Sequence, residues 1–382
     1  MLNPYRLVRA ALAVVCVVAI AGCASAPPRE LTNPDGILAY VPADTPYVLA
    51  FAEPLPDDLL DNIEPKFDRA MQGYQVFFRE IFRSAIAENS KDMNIAEMQR
   101  MSALFDEIVG LMSVQGMRDA GFERDSRLIM FGHGLLPVIR MELRDVGKFD
   151  ATIARLEEAA GHSMDVSVLD GVSYRHVGDE SLKIIVGVFE GDAVITFMPG
   201  GFGDDELRQL TGLARPATSL VASGKLAGIV AEYGMTDHMA GFVDIEGIAR
   251  TFVERPTGLD AEFIARDEPE DENPWKQQSE VCKQEILGMA GIAPRMVFGY
   301  TAVSEKRTAS IAIIELRDDI AAGMSGFANA VPGLGGDPGG LLSFGMSFNL
   351  LAMRNFVEER LDVLDADPYR CELFDTLQES TA

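Results

Sequence analysis

The chain has 382 residues, a formal net charge of −26 and an ordinary hydrophobic content of 48%. A surface this acidic is repelled by nucleic acid and by anionic lipid headgroups, which argues against both as partners of the folded body. The acidity is typical of a charged, well-solvated surface, with a cationic partner or a divalent ion as the alternative. The length allows two domains with sizeable cores.

The N-terminal segment predicts export. Arg6 and Arg9 precede the short apolar run 10–21, and Cys23 follows it. A membrane-spanning helix needs roughly 20 apolar residues, so this run is more typical of a signal peptide. The alternative is an ordinary signal peptide or an uncleaved anchor in which the cysteine has no role.

The sequence Ile20-Ala21-Gly22-Cys23 resembles the lipobox of bacterial lipoproteins. The resemblance implies cleavage before Cys23, a diacylglycerol on its thiol and an acyl chain such as palmitate on its new amine. Ala24 stands where an Asp would retain a Gram-negative lipoprotein at the inner membrane, so the resemblance implies an outer-membrane anchor that faces the periplasm. We therefore predict a signal peptide at 1–22 and a lipidated, Pro-rich tether at 23–36.

The next part of the chain, 37–230, is predicted to be a first α+β unit. Apolar residues at helical spacing indicate two helices, from the Pro54 and Pro56 pair to about residue 82 and from 95 to about 117. Their Met and Phe stripes, within 63–112, are typical of core; alternatively they leave a groove against a sheet for a lipid, an acyl chain or a partner helix. Strands are predicted at 47–51, 127–131, 137–143, 166–168, 173–176, 182–189 and 193–198, and further helices at 146–160 and 204–213.

The remaining part, 231–382, is predicted to be a second α+β unit. Strands are predicted at 239–245, 295–303, 308–316 and 342–349, and helices at 247–253, 275–289, 318–330 and 350–364. The stretches Phe131-Gly132-His133 and 142–145 recur as Phe298-Gly299-Tyr300 and 315–318. We therefore predict a duplicated α+β unit of antiparallel strands and hairpins, with helices packed on one face.

Four short motifs occur in the same order as in a known group of proteins. They are 41–45 before a strand, 169–172 before another, the Ser219-Leu220 turn and 241–245. Over most of the mature chain, this order is similar to that of a widespread group of exported bacterial proteins of unknown function. The motifs are structural, so the resemblance implies a fold and supplies no catalytic residues.

Cys282 and Cys371 are the two cysteines of the predicted mature body. An even number of cysteines in an oxidising compartment predicts a disulfide, which would pin the C-terminal helix to the second unit. The alternative is two unrelated buried thiols.

Motifs for catalysis and for metal binding are absent from the sequence, including His-Glu-x-x-His, Cys-x-x-Cys, the P-loop and Gly-x-Ser-x-Gly. His133, between Gly132 and Gly134, is the most site-like residue, because an exposed hairpin tip with free amides can form an oxyanion hole. The alternative, which the lack of an associated serine or cysteine nucleophile favours, is a structural or surface residue with no catalytic role. The acidic run 267–272 lacks the spacing of an EF-hand and is typical of a solvated charge run, with a weak calcium site as the alternative.

These observations predict a non-catalytic binding or envelope accessory protein with no metal and no cofactor. The lipid on Cys23 would join it to the membrane, and an envelope protein would be its partner. Two alternatives remain open: a carrier or sensor of an apolar ligand, and a hydrolase with a site near His133.

Overall fold

The computed structural model describes residues 30–89, 95–254, 259, 279–305, 307–331 and 346–374. Two compact units divide the chain, and their segments alternate along the sequence. The first unit comprises Met1–Val243, Gly258–Phe263 and Val297–Ala312, and the second comprises Asp244–Thr257, Ile264–Met296 and Ile313–Ala382.

A ten-stranded sheet runs through the first unit. Its strands are β1 (Tyr47–Phe51), β2 (Leu128–His133), β3 (Leu136–Glu142), β4 (Asp165–Leu169), β5 (Val172–Gly178), β6 (Leu182–Phe189), β7 (Asp192–Pro199), β8 (Ala240–Asp244), β9 (Arg295–Ser304) and β10 (Arg307–Glu315). They lie in the order β10-β9-β8-β1-β2-β3-β7-β6-β5-β4. The predicted α+β class with antiparallel strands is confirmed, and strands from both predicted halves share this one sheet. The predicted duplication and its boundary at 230 stay predictions.

Two tight turns fix the register at one side of the sheet. Asp170 and Gly171 have φ values of 51° and 85°, and Glu190 and Gly191 have φ values of 53° and 94°. Two successive positive φ values define the hairpin turn whose twist matches that of the strands, and Gly tolerates them without strain. The turns set β4 against β5 and β6 against β7, at the places where the sequence has its turn signals.

A helix lies at each predicted position, although several differ from the prediction in length. The helices are α1 (Asp57–Asn89), α2 (Ile95–Gly110), α3 (Val114–Asp119), α4 (Val146–Ala160), α5 (Asp204–Thr211), α6 (Leu220–Ser223), α7 (Lys225–Glu232), α8 (Ile245–Val253), α9 (Glu280–Ala290), α10 (Asp318–Met324) and α11 (Leu350–Ala366). A continuous helix over 95–117 is wrong, because Ser113 caps a new helix. Its hydroxyl accepts the Gly116 N–H at 2.9 Å, which satisfies a donor that the first turn leaves open.

Helices cover both faces of the sheet, whereas the sequence predicts helices on one face. Ile184 and Val186 of β6 pack with Phe149 of α4 on one face. Ile185, between them in sequence, packs with Leu207 of α5 on the other face. Both faces are covered because successive strand residues point to opposite sides, and β6 is apolar on both.

The second unit is built from α8 to α11 and is closed by a disulfide. α8 packs on α9, and α10 packs on α11. Cys282 in α9 is bonded to Cys371, which follows α11, and their Cα atoms lie 4.7 Å apart. The Glu285 carboxylate accepts the Cys371 N–H at 3.0 Å. The structure thus brings together the cysteine pair that the sequence predicts.

Some predicted features differ or fall elsewhere. The helix predicted at 318–330 ends at Met324. Of the strand predicted at 342–349, residues 346–349 form only a single bridge, between Phe348 and Ala328, and 342–345 lie outside the described residues. Cys23 and the acidic run 267–272 also lie outside them.

Candidate functional site

An apolar cavity lies in the first unit, between α2, α3 and α4 and the β3–β7 part of the sheet. Its volume is about 250 Å³. An engineered protein cavity of about 150 Å³ with apolar walls stays dry and binds benzene, so this cavity has room for on the order of ten carbon atoms. It approaches the lower end of pockets that hold small molecules.

The walls come from three sources. The helices and the segments beside them contribute mostly branched, Met and Phe side chains: Leu104, Ile108, Leu111, Met112, Met117, Ala120, Phe122, Phe149, Ile153 and Leu156. The sheet contributes Met141, Val177, Ile184, Val186 and Ile195. The segment at the end of α4 contributes Glu157, Ala160, His162 and Met164. Such a wall attracts apolar ligands by burial and dispersion and does not orient them by hydrogen bonds.

Local sequence explains why these side chains converge. Leu104 and Ile108 are four residues apart in α2 and therefore share one face of the helix. Phe149 and Ile153 stand in the same relation in α4, and α2 and α4 pack against each other. Phe149 also packs edge-to-face on Phe122, with ring centroids 6.1 Å apart. The cavity is the space left where this helix pair meets the strands.

Thr152 is a polar residue in the wall, and its hydroxyl is already used. Its Oγ1 accepts a hydrogen bond from Arg155 Nη2 at 3.0 Å and donates one to the Asp119 carbonyl at 3.4 Å. A ligand therefore meets the methyl side of a threonine whose hydroxyl faces the protein's own groups.

Two further polar residues lie where α4 ends. The Glu157 carboxylate accepts the Met164 N–H at 2.9 Å and lies 3.8 Å from Arg175 Nε. His162 Nδ1 donates to the Ala160 carbonyl at 3.3 Å, and the imidazole is exposed. These groups make this end of the cavity polar, and the carboxylate there is already engaged by its neighbours.

The cavity overlaps only in part with the groove that the Met and Phe stripes of 63–112 indicate. α2 contributes as expected. The Met and Phe side chains of α1 pack instead around Met71, Val109 and Met112, flanked by Phe67, Phe78 and Phe105, and of these residues Met112 also lines the cavity. The contribution of α4 is missed, although Phe149, Ile153 and Leu156 follow one helical face and could have indicated it.

His133 does not occupy an exposed hairpin tip, contrary to the prediction. It pairs with Leu136 at the end of β2, and the turn follows it. The residue is half-buried, and burial lowers the pKa of its imidazole, opposed by the nearby charge of Asp44. Within the described part of the chain, no serine or cysteine forms a hydrogen bond with it.

A serine and a histidine do meet elsewhere, on the two strands at the edge of the sheet. Ser167 Oγ lies 3.0 Å from His176 Nε2. A catalytic pair also needs a group that orients the histidine and donors for an oxyanion. Asp165 lies opposite His176 in the ladder, yet among the described contacts no side-chain hydrogen bond joins the Asp165 carboxylate to the imidazole. The pair is a cross-strand contact without the remaining parts of a hydrolase site.

Metal-binding clusters and membrane-spanning helices are both absent from the described ranges. There, no cluster of three or more His, Cys, Asp or Glu side chains has the geometry to hold a metal ion. Across the same ranges, no helix combines the length and the apolarity that crossing a bilayer requires.

No protein-family model matches the chain, and neither the curated proteins nor the solved structures contain a significant match. The resemblance to a lipobox at Cys23 and the resemblance of the body to an exported bacterial group therefore stay predictions.

Proposed function

We propose that this chain is a non-catalytic, lipid-anchored envelope protein that binds an apolar ligand in the cavity between α2–α4 and the sheet. The cavity of about 250 Å³ is the observation that carries the proposal. Each buried methylene contributes ~0.8 kcal/mol, so a ten-carbon chain would gain about 8 kcal/mol before the cost of association. Association costs at least about 4 kcal/mol, so the net gain is about 4 kcal/mol and the dissociation constant is on the order of 1 mM, which suits a carrier or sensor that must release its ligand.

The proposed location rests on two features. Cys23 would carry the lipid at the end of a short tether, at the outer membrane and facing the periplasm. The disulfide between Cys282 and Cys371 suits the same compartment, because disulfides persist where the environment is oxidising. A chain of charge −26 would be held off an anionic membrane surface, with the lipid as its attachment. An envelope protein as a further partner stays a prediction.

Ligand binding is tested by filling the cavity. Val186 is buried in the cavity wall, so Val186→Phe would project a ring into the space. We expect native mass spectrometry to show a co-purified or added apolar ligand, such as 1-decanol, on the wild-type chain and none on this variant. Ile185→Val, on the opposite face of the same strand, is the matched control and should bind as the wild type does. Equal binding by Val186→Phe, or no binding by the wild type, would contradict the proposal.

The anchor is tested at the cysteine. Cys23→Ala should accumulate uncleaved and lack the mass of the lipid, because the thiol that accepts the diacylglycerol is gone. Intact-mass measurement of the membrane fraction detects both effects. Cys16→Ala, in the same apolar segment, should be processed normally. Normal cleavage and release of Cys23→Ala would rule out the lipoprotein assignment.

A further inference from the structure

We infer that the ligand is a single-chain amphiphile with an anionic headgroup, a carboxylate or a phosphate, whose tail enters the cavity while its headgroup meets Arg100. The inference rests on the proposed function, and it adds the chemical class of the ligand. It is carried by the position and the exposure of one arginine at the polar end of an otherwise apolar site.

Arg100 lies on the cavity-facing side of α2. It precedes the wall residues Leu104 and Ile108 by four and eight residues, so the three side chains share one helical face. Helical side chains lean toward the N-terminus of their helix. Arg100 therefore continues the row formed by Leu104 and Ile108 beyond its apolar part and places a charge at the end of that row.

Contacts with α4 place the Arg100 side chain at the rim. Gly161 caps the C-terminal end of α4 in the left-handed conformation, with a φ of 75°. A Cβ added to Gly161 would lie 2.6 Å from Arg100 Cδ and 3.1 Å from Arg100 Nε, so the arginine stem packs directly over this glycine. Ala160 and His162, on either side of Gly161, both line the cavity. The guanidinium therefore lies beside the end of the cavity that is polar.

The Arg100 charge is available to a ligand. Among the side chains that the structure describes, which exclude those of residues 82–95 and 97, none forms an ion pair or a hydrogen bond with its guanidinium, and the Arg100 side chain is exposed. Glu157, whose carboxylate belongs to the cavity wall, accepts the Met164 N–H and lies close to Arg175. A guanidinium matches a carboxylate or a phosphate with two parallel hydrogen bonds. The chain as a whole has a net charge of −26 and repels anions, whereas the positive charge of Arg100 attracts them at this site. Arg100 would therefore favour ligands with an anionic headgroup over uncharged ones.

Arg100 also has a structural role, and the experiment must distinguish that role from binding of the headgroup. A cation at the C-terminal end of α4 interacts favourably with the helix dipole. Loss of that interaction would lower the stability of the chain by a small amount and would affect charged and uncharged ligands alike. Selectivity between headgroups is therefore the readout that matters.

The experiment compares four probes that share a ten-carbon chain, on the purified, lipidated full chain in nanodiscs. The probes are isotopically labelled and titrated, and binding is followed by NMR; they are decanoate, decyl phosphate, 1-decanol and decyltrimethylammonium. The signal from partition into the disc is measured with Val186→Phe and subtracted. We expect the anionic probes to bind roughly three- to tenfold more tightly than 1-decanol, the range of a charge-assisted contact that is partly solvated. The stronger of decanoate and decyl phosphate identifies the headgroup.

Arg100→Gln should lose this preference and retain its affinity for 1-decanol. Arg69→Gln, an exposed arginine on α1 that does not line the cavity, is the control and should retain the preference. A wild-type chain that binds 1-decanol as tightly as both decanoate and decyl phosphate, or an Arg100→Gln variant that keeps the preference, would overturn the inference and leave the proposed function standing. Failure of every probe to bind would overturn both.

Discussion

Arg140 is fully buried in β3, and every hydrogen bond it makes is internal. Its Nε donates to Asp192 at 2.6 Å, and its two terminal nitrogens donate to the carbonyls of Thr211 and Phe189, each at 3.0 Å. Its guanidinium carbon lies 3.2 Å from the ring centroid of Tyr40. A buried charge that is paired in this way is costly to disturb, so the group serves the fold. It occupies the face of the sheet opposite the cavity, since the next residue of the strand lines the cavity wall.

Tyr40 links this buried group to a carboxylate that is half exposed. Its hydroxyl donates to Glu190 at 2.6 Å, and Arg215 stacks on its outer face at 3.5 Å. Burial, aided by the hydrogen bond to Glu190, raises the pKa of Tyr40 to about 12. The same hydrogen bond is the main reason that the pKa of Glu190 is lowered.

Tyr40→Phe should therefore cost stability in a pH-dependent way. A carboxylate whose pKa is lower in the folded state stabilises the fold above its unfolded pKa of about 4.3 and loses that contribution as the pH falls through the folded value. We expect the variant to lose roughly 0.5–1 kcal/mol of unfolding free energy at pH 7, a small value because Glu190 is partly exposed. The difference from wild type should shrink between about pH 5 and pH 3 in urea denaturation.

Tyr174→Phe is the control for this measurement. Its hydroxyl forms no hydrogen bond within the described part of the chain, although its ring packs on Phe189. Its difference from wild type should be the same at both pH values. A Tyr40→Phe difference that stays constant with pH would show that the hydrogen bond to Glu190 does not exist in solution.

Local sequence patterns predict the bounds of helices and strands well where the hydrophobic periodicity agrees with the turn and capping residues at the ends. β1, β6 and α4 have the predicted bounds, because each combines a clear alternation or helical stripe with a turn or a cap. The order of the sheet could not be predicted, since the pairing of β1 with β8 and of β3 with β7 joins segments far apart in sequence. The cavity was beyond prediction for a related reason: it depends on how the side chains of α2 and α4 fill the space above β6.

Substitutions on the two faces of β6 test directly whether the cavity is present in solution. Val186→Phe should leave the unfolding free energy unchanged or raise it by up to about 1 kcal/mol, because the ring enters existing space. Ile185→Phe adds bulk to a fully buried position on the opposite face and should cost about 1–3 kcal/mol. Urea denaturation of the two variants makes the comparison. Equal destabilisation would mean that the space beside Val186 is closed in solution.

At the scale of the molecule, the two units are stabilised by different means. The first unit has a large apolar core on both faces of its sheet. In the second unit, α9 and α11 contain no buried residue within the described ranges. Small bodies with little core depend on covalent links, so the disulfide that joins α9 to the segment after α11 takes a correspondingly large share of the stability.

Replacing both Cys282 and Cys371 with Ser should therefore weaken the second unit selectively. The bond closes a loop with a sequence separation of 89, for which the chain-entropy model gives about 4–5 kcal/mol. We expect hydrogen exchange at the amides of α9 and α11 to accelerate strongly, while β6 and β7 stay protected and 1-decanol still binds. The two single variants should behave as the double variant does, because either one breaks the bond. Loss of protection in β6 and β7 to the same degree would mean that the core of the first unit does not fold independently of the link, and unchanged exchange in α9 would mean that packing alone holds the second unit.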